Sequence, residues 1–336
     1  MAHEIDISNN RANMAYTGLV GWHGLGRALP VGADIDTWRV AAGMNWDVNE
    51  APVRYSTVYT YAGDELATFK GKKVLYRSDN DAALSVVGSE YNVVQPAQVL
   101  EFFKSLIASR GYALETAGCL YGGRKFWALA RTGPNVNIGL GQDAISPYLL
   151  LATSCDGSMS STAIPTSVRV VCDNTLRTAI GATKSNSIRI PHKLVFDVDK
   201  IHTELGLLSE DWHTFVDNAV ALSRVKVSPT DAIQIIADEL KQDWNDVDGN
   251  PMTTAAMLET SKILRRVFKL FNGEGLGSEW DTSKGTAWGL VNAVTQYCDH
   301  ETGSKRTDGS TSFERAHLGD RAEFKTRIAN RLLERV

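Results

Sequence analysis

Gly122-Gly123-Arg124-Lys125 and Cys155-Asp156-Gly157-Ser158 are the two turn sequences inside the stretch from Gly111 to Lys193. Runs typical of β-strands flank these turns, at residues 112–121, 125–131 and 148–154. Glycine pairs and Asp-Gly pairs are frequent in the tight turns that join antiparallel strands. The stretch therefore predicts hairpin-like strand pairs in an antiparallel sheet.

The charge of this stretch is opposite in sign to that of the whole chain. Residues 120–193 contain eight Lys or Arg residues and three Asp or Glu residues, although the formal net charge of the chain is −4. Residues 194–250 then contain 4 basic and 12 acidic residues. We interpret this change as a domain boundary, which gives a sheet domain with a basic ribbon over residues 1–193 and a mainly helical domain over residues 194–336.

A long helix is predicted immediately before the stretch. Pro96 suits the first turn of a helix, and apolar residues recur at helical spacing from Val99 to Ile107. Arg110-Gly111 is typical of a helix C-terminus, because glycine tolerates the left-handed conformation that often ends a helix.

The order of predicted elements indicates the fold class. Strands over residues 53–94 precede the long helix, and a short helix is expected from Asp173 or Asn174 to Ile180. Apolar residues at helical spacing recur after residue 229. The prediction is an α+β fold: an antiparallel sheet with a long helix packed on one face, followed by a mainly helical C-terminal half.

The composition excludes several classes of protein. The 336 residues are 43% hydrophobic and 22% charged, as in ordinary globular proteins, and no apolar run is long enough for a membrane span. The four cysteines are widely spaced and form no CxxC pair, which favours buried reduced thiols. The N-terminus lacks a signal-peptide pattern, so we expect a cytoplasmic protein with no membrane partner.

The basic ribbon is the main functional clue. Exposed Arg and Lys side chains can follow a phosphate backbone, and interleaved aromatic rings can stack on bases. Strand alternation places Trp127 on one face with Lys125 and Arg131, so we expect all three to face solvent. The candidate nucleic-acid-binding residues are Arg124, Lys125, Trp127, Arg131, Arg169, Arg177, Lys184, Arg189, His192 and Lys193. The alternative is a solvated sheet face whose cations pair with the acidic second half.

Catalytic and metal-binding signatures are weak. The chain has no HExxH motif and no GxSxG elbow. Asp299-His300-Glu301 is the densest set of potential ligands, but adjacent residues of a helix do not share a face. We therefore expect no metal site, no cofactor and no catalytic residues.

Four motifs resemble a known family. They are Trp22-His23-Gly24-Leu25-Gly26, Tyr91-Asn92-Val93-Val94-Gln95, Arg169-Val170-Val171-Cys172-Asp173-Asn174-Thr175-Leu176 and the run from Gly285 to Thr295. They are similar to the phage/plasmid-like proteins of domain of unknown function 932. That resemblance implies a mobile-element setting in a bacterial host and supplies no agreed activity or catalytic residues.

A second resemblance is one of element order only. A helix, three antiparallel strands and a helix, with basic residues on the sheet, are similar to the core of recombinational single-strand annealing proteins. The leading hypothesis is a non-catalytic protein that binds and anneals single-stranded DNA as a homo-oligomeric ring or filament. One alternative is a metal-dependent nuclease or nucleotide hydrolase that uses Asp156, Asp173 and Asp299. Another is a counter-defence factor that binds a host protein through the acidic residues 194–250.

Overall fold

The structure is a computed structural model that describes residues 5–8, 11–18, 24–57, 66–139, 143–169, 174–177, 187–194, 196–197, 201, 203, 210–302, 312–317 and 319–336. The strands are β1 Ile7–Ser8, β2 Arg11–Ala12, β3 Met14–Tyr16, β4 Arg27–Ala28, β5 Val48–Tyr55, β6 Ala67–Arg77, β7 Ala83–Gly88, β8 Ala113–Leu120, β9 Lys125–Arg131, β10 Val136–Asn137, β11 Ala144–Ser154, β12 Ser161–Arg169, β13 Asn174–Arg177 and β14 Ile188–Ile190. The helices are α1 Ile35–Ala41, α2 Pro96–Arg110, α3 Glu210–Arg224, α4 Pro229–Leu240, α5 Thr254–Thr260, α6 Lys262–Lys269, α7 Ala287–Gln296, α8 Ser312–His317 and α9 Asp320–Leu333.

A large sheet forms the centre of the first half. Within the described residues its strand order is β13-β12-β11-β9-β8-β3-β4, with β10 beside β11 and β14 beside β12. All pairs are antiparallel except β3 with β4. Strands β5, β6 and β7 make a separate antiparallel sheet. The predicted antiparallel sheet is confirmed.

The long helix α2 covers one face of the large sheet. Gln95 and Gln98 form a capping box at its start, and Gly111 ends it with a φ of 67°. Its buried side chains join one apolar core with residues of β8, β9 and β11; they include Val99, Leu100, Phe102, Phe103 and Leu106. The prediction of a long helix on one face of the sheet is confirmed.

The N-terminal segment covers the opposite face of the sheet. Ile5 and Met14 pack there with Trp127 and Leu150 in a second, smaller apolar cluster. Strand β3 pairs with β8, and Met14 lies opposite Gly118. The central strands are therefore buried on both faces.

The C-terminal half is helical, as predicted, and is tied to the sheet by a buried carboxylate. Asp143, 1% exposed, precedes β11. Its Oδ2 accepts hydrogen bonds from Trp288 Nε1 at 3.0 Å and Thr282 Oγ1 at 2.7 Å. Ile138 and Ile145 also contribute to the helical core. None of the described helices is both long enough and apolar enough to cross a membrane.

The helix expected from Asp173 or Asn174 to Ile180 is wrong over its described part. Residues Asn174–Arg177 form β13, which pairs with β12 from Arg169↔Asn174 to Thr166↔Arg177. The open edge of β12 provides ladder hydrogen bonds at this position, and strand pairing overrides a helix-capping signal that is only local.

Candidate functional site

An open groove of about 400 Å³ lies where three segments of the sheet half meet. The small sheet contributes Gly71 and residues 88–91. The turn between β11 and β12 contributes Gly157, Met159 and Ser160, and the segment after β14 contributes Pro191, His192 and Lys193. We call this cavity the groove.

Hydrogen bonds to main-chain carbonyls hold the three walls together. Ser85 Oγ on β7 donates to the carbonyl of Cys155 at 2.6 Å, and the hydroxyl of Tyr91 donates to the carbonyl of Ser154 at 2.8 Å. The main-chain nitrogen of Asn92 donates to the carbonyl of His192 at 2.6 Å. The shape of the groove is therefore fixed by residues far apart in sequence.

Tyr91 and His192 form a stacked aromatic pair in the groove wall. Their ring centroids are 4.3 Å apart and the rings are inclined by 20°. His192 Nδ1 is 3.1 Å from the carbonyl of Asn92, and Nε2 is 3.0 Å from the carbonyl of Met159. Main-chain carbonyls thus lie within hydrogen-bond distance of both ring nitrogens, so His192 helps to fix the position of the wall. Burial raises the pKa of Tyr91, which keeps its hydroxyl protonated.

A bulge in β6, where its pairing with β5 is interrupted, forms one rim. Pro52 lies opposite Lys73 and Arg54 opposite Thr68, so residues 69–72 face Val53 alone. Gly71, at the centre of the bulge, has a φ of 81°, which favours glycine. Bulges redirect side chains at sheet edges and next to binding sites. Here the bulge exposes a lysine on each side of Gly71.

Exposed cations lie in and next to the groove lining. Lys193 lines the groove, and Lys70 and Lys72 are the sequence neighbours of the lining residue Gly71. None of the three forms an ion pair with any residue in the described ranges. Among the described residues that line the groove, Glu90 has the one carboxylate side chain. This surplus of positive charge favours an anionic ligand.

Most of the groove lies in a segment that one family model matches. The model, described as Domain of unknown function (DUF932), matches residues 83–318, more than half of the chain. The chain belongs to the DUF932 family. No curated protein and no solved structure matches it.

Two of the motifs on which the family resemblance rests have structural roles in this DUF932 chain. The first is residues 91–95 and the second is residues 285–295. In the first, Tyr91 stacks on His192, and Gln95 bonds to both the nitrogen and the carbonyl of Val48 at 2.7 and 3.1 Å. In the second, Thr286 caps α7, Trp288 bonds to Asp143, and Asn292 donates to the carbonyl of Trp288 at 2.9 Å. Both motifs therefore hold elements together.

The expectation that Lys125 and Trp127 face solvent is wrong. Lys125 is 4% exposed and Trp127 is 7% exposed. The N-terminal segment covers this face of β9, and Gly118 leaves the space that the Trp127 ring fills: a Cβ there would lie 2.3 Å from the ring. Trp127 is a core residue of the DUF932 chain and not a surface for bases.

The other predicted site residues are only partly brought together. His192 and Lys193 line the groove, and Arg189 is exposed on β14 just before them. Arg124 is exposed, and its carbonyl accepts from Cys155 at 2.8 Å, which places it at the same end of the sheet. Arg131 is paired with Glu115 at 2.5 Å. The side chains of Arg169 and Arg177, and the whole of Lys184, lie outside the described residues.

Sequence reasoning missed the lysines of the β6 bulge. Residues 66–77 contain four Lys or Arg residues and no Asp or Glu. This local surplus is a usable signal, but it lies some 50 residues before the basic ribbon of residues 120–193 and is separate from it in sequence. Tyr91 is uncharged, so the charge pattern could not indicate it as a site residue. Its contact with His192 is visible only in the fold.

The carboxylates considered for a nuclease are not assembled into one site by the described residues. Asp156 accepts from the nitrogen and hydroxyl of Ser158, as in a turn. Asp299 pairs with Lys325 in the helical half, and Asp173 lies outside the described residues. Within the described part of this DUF932 chain, no group of three or more His, Cys, Asp or Glu side chains is placed to hold a metal ion.

Proposed function

We propose that this protein is a non-catalytic single-stranded DNA-binding protein of a mobile element, active in the cytoplasm of a bacterial host. The observation that carries the proposal is the open groove with exposed lysines in and beside its lining, Lys193 together with Lys70 and Lys72, none of which pairs with a carboxylate of a described residue. The phosphate backbone of a nucleic acid carries a charge at every nucleotide, so it can neutralise several neighbouring lysines at once. The half-exposed Tyr91–His192 pair adds aromatic surface of the kind on which unpaired bases stack.

The finer proposal is strand annealing by a ring or filament of copies. The groove is open, so a strand held by its phosphates keeps the other edge of its bases accessible to a complement. The resemblance in element order to single-strand annealing proteins supports this activity by analogy alone.

Neutralising the groove lysines is expected to weaken DNA binding in a salt-dependent manner. Four cations, Lys70, Lys72, Arg124 and Lys193, predict a log–log salt slope of about −3 for a single strand, at about 0.7 per phosphate. The variant Lys70→Gln/Lys72→Gln/Lys193→Gln should reduce that slope to about −1 and lower the affinity about 100-fold at 0.1 M salt. Fluorescence anisotropy with a labelled oligonucleotide at several salt concentrations measures both quantities.

The matched control changes three exposed lysines of the helical half, as Lys226→Gln/Lys262→Gln/Lys284→Gln. It removes the same total charge and should keep the wild-type slope. A wild-type affinity that does not respond to salt contradicts the proposal, and so does an equal loss in the two variants. Cleavage of the oligonucleotide that depends on a divalent metal ion would favour the nuclease alternative. Capture of a host protein without oligonucleotide affinity would favour the counter-defence alternative.

Annealing is tested separately from binding. Two complementary labelled oligonucleotides should form a duplex faster with the wild-type protein than without it, and light scattering should show larger assemblies when a single strand is added. If the protein binds a single strand but does not accelerate duplex formation, it is a single-strand-binding protein and the annealing proposal is wrong.

A further inference from the structure

The ribbon of β5 and β6 extends beyond the bulge as an exposed arm. Residues 54–57 and 66–72 are exposed throughout. Three large apolar side chains of this arm are about half exposed: Tyr55 at 47%, Leu66 at 45% and Phe69 at 51%. Exposed aromatic side chains on a short two-stranded ribbon contribute little to a core, so their presence points to a binding role.

The strand register places the two aromatic residues close together on the arm. Tyr55 lies directly opposite Ala67, and Phe69 follows Ala67 by two residues, at the start of the bulge. Near neighbours across a pair of strands lie within about 8 Å of each other, close enough for two rings to contact adjacent bases.

The charges of the arm favour a polyanion as the ligand. Arg54, Lys70 and Lys72 are exposed and form no ion pair with a described residue, whereas the carboxylate of Glu50 pairs with Lys73 at 2.7 Å. The bulge connects the arm to the groove, because Gly71 lines the groove and Phe69 and Lys70 directly precede it. A strand bound in the groove therefore meets cations and aromatic rings where it leaves along the arm.

A second copy of this chain is a weaker candidate for the occupant. A stable interface between proteins buries about 800 Å² on each partner. Three half-exposed side chains on a narrow ribbon supply much less apolar area than that, whereas a base needs only one ring face. Cations interleaved with aromatic rings are also the pattern of single-strand-binding surfaces.

We propose that Tyr55 and Phe69 are base-stacking residues for single-stranded DNA, and that the arm continues the binding path of the groove. This inference rests on the proposed function and deepens it. It also specifies the substrate class, because a base inside a duplex has no free face for a protein ring.

The test is the variant Tyr55→Ala/Phe69→Ala with a labelled oligothymidylate. Stacking on two rings should account for about 10- to 100-fold in affinity. The salt slope should stay at the wild-type value, because no phosphate contact is removed. The variant Tyr55→Trp/Phe69→Trp should retain binding, and weak binding to duplex DNA should not change. This pattern is the reverse of that expected for the lysine variant, which changes the slope.

Val31→Ala/Val86→Ala is the matched control, since it truncates two other exposed apolar side chains, which are 85% and 57% exposed. If the wild-type protein fails to bind the oligonucleotide, the proposed function itself is wrong. If the wild type binds and Tyr55→Ala/Phe69→Ala binds equally well, the groove proposal stands and this inference is overturned. A change of oligomer size in the variant, with unchanged oligonucleotide affinity, overturns the inference in favour of a second copy.

Discussion

Gly289→Ala is expected to lower the free energy of unfolding by about 3 kcal/mol, although the same change inside an exposed helix normally stabilises by about 1 kcal/mol. Gly289 lies in the first turn of α7, against the main chain of the preceding loop. A Cβ at this position would be 1.8 Å from the carbonyl oxygen of Ser283 and 2.7 Å from its carbonyl carbon. These are main-chain atoms, so no flexible side chain can move aside.

The surrounding contacts prevent α7 from shifting to relieve the clash. Ser283 is 1% exposed, and its nitrogen donates to the carbonyl of Trp280 at 2.8 Å. Trp288, next to Gly289, is held by the buried Asp143. Relief of the clash therefore requires breaking the contact between the helical half and the sheet, and this is why we expect the effect to be large.

Gly88→Ala is the control for this prediction. Gly88 does not have a positive φ, and no heavy atom lies within 4 Å of a Cβ built on it. This substitution should change stability by no more than about 0.5 kcal/mol. Urea unfolding monitored by circular dichroism measures both variants. If Gly289→Ala is as stable as the wild type, α7 can move away from the carbonyl of Ser283 at little cost, and the prediction is wrong.

Elements specified by local signals could be predicted from the sequence. Helix α2 begins at Pro96 and ends before Gly111, as its capping residues indicate. The Gly122-Gly123 turn and the Asp156-Gly157 turn both join antiparallel neighbours of the sheet. In each case the conformation is determined by residues within one or two turns of the chain.

Burial of the basic ribbon could not be predicted in this way. Alternation correctly places Lys125 and Trp127 on one face of β9, but the residues that cover that face, Ile5 and Met14, come from more than 100 positions earlier in the chain. Local charge does not reveal such a non-local contact. The groove has the same character, because it joins Gly71, Gly157 and Lys193. The charge surplus could indicate a cationic surface, but only the fold shows which cations share it.

Lys325→Met is expected to cost about 3–5 kcal/mol, the usual effect of removing one partner of a buried charge pair. Lys325 Nζ lies 2.7 Å from Asp299 Oδ1, and the two side chains are 3% and 6% exposed. Lys104→Met is the matched control, because Lys104 forms an exposed pair with Glu101 at 3.4 Å. Exposed pairs of this kind contribute about 0–1 kcal/mol, so this control should be nearly neutral.

The pH dependence separates a lost charge pair from lost packing. Burial by itself would raise the pKa of Asp299, but the positive charge of Lys325, assisted by His317 and His300, outweighs burial and holds the pKa below its ordinary value. In the wild type, this stabilisation is present above the ordinary aspartate pKa of about 3.9 and is lost as the pH falls through the lower pKa of the folded state.

In Lys325→Met we expect the shift of the Asp299 pKa to reverse its sign. Without the lysine, burial makes protonation of Asp299 easier in the folded state. The stability deficit relative to the wild type should therefore be largest near pH 7 and shrink as the pH is lowered towards about 4. The double variant Asp299→Asn/Lys325→Met should recover part of the loss at pH 7, because it also removes the buried negative charge that the lysine had stabilised. A deficit that stays constant from pH 7 to pH 4 would mean that Lys325 stabilises the helical half through the packing of its methylene chain, and that its charge is not needed there.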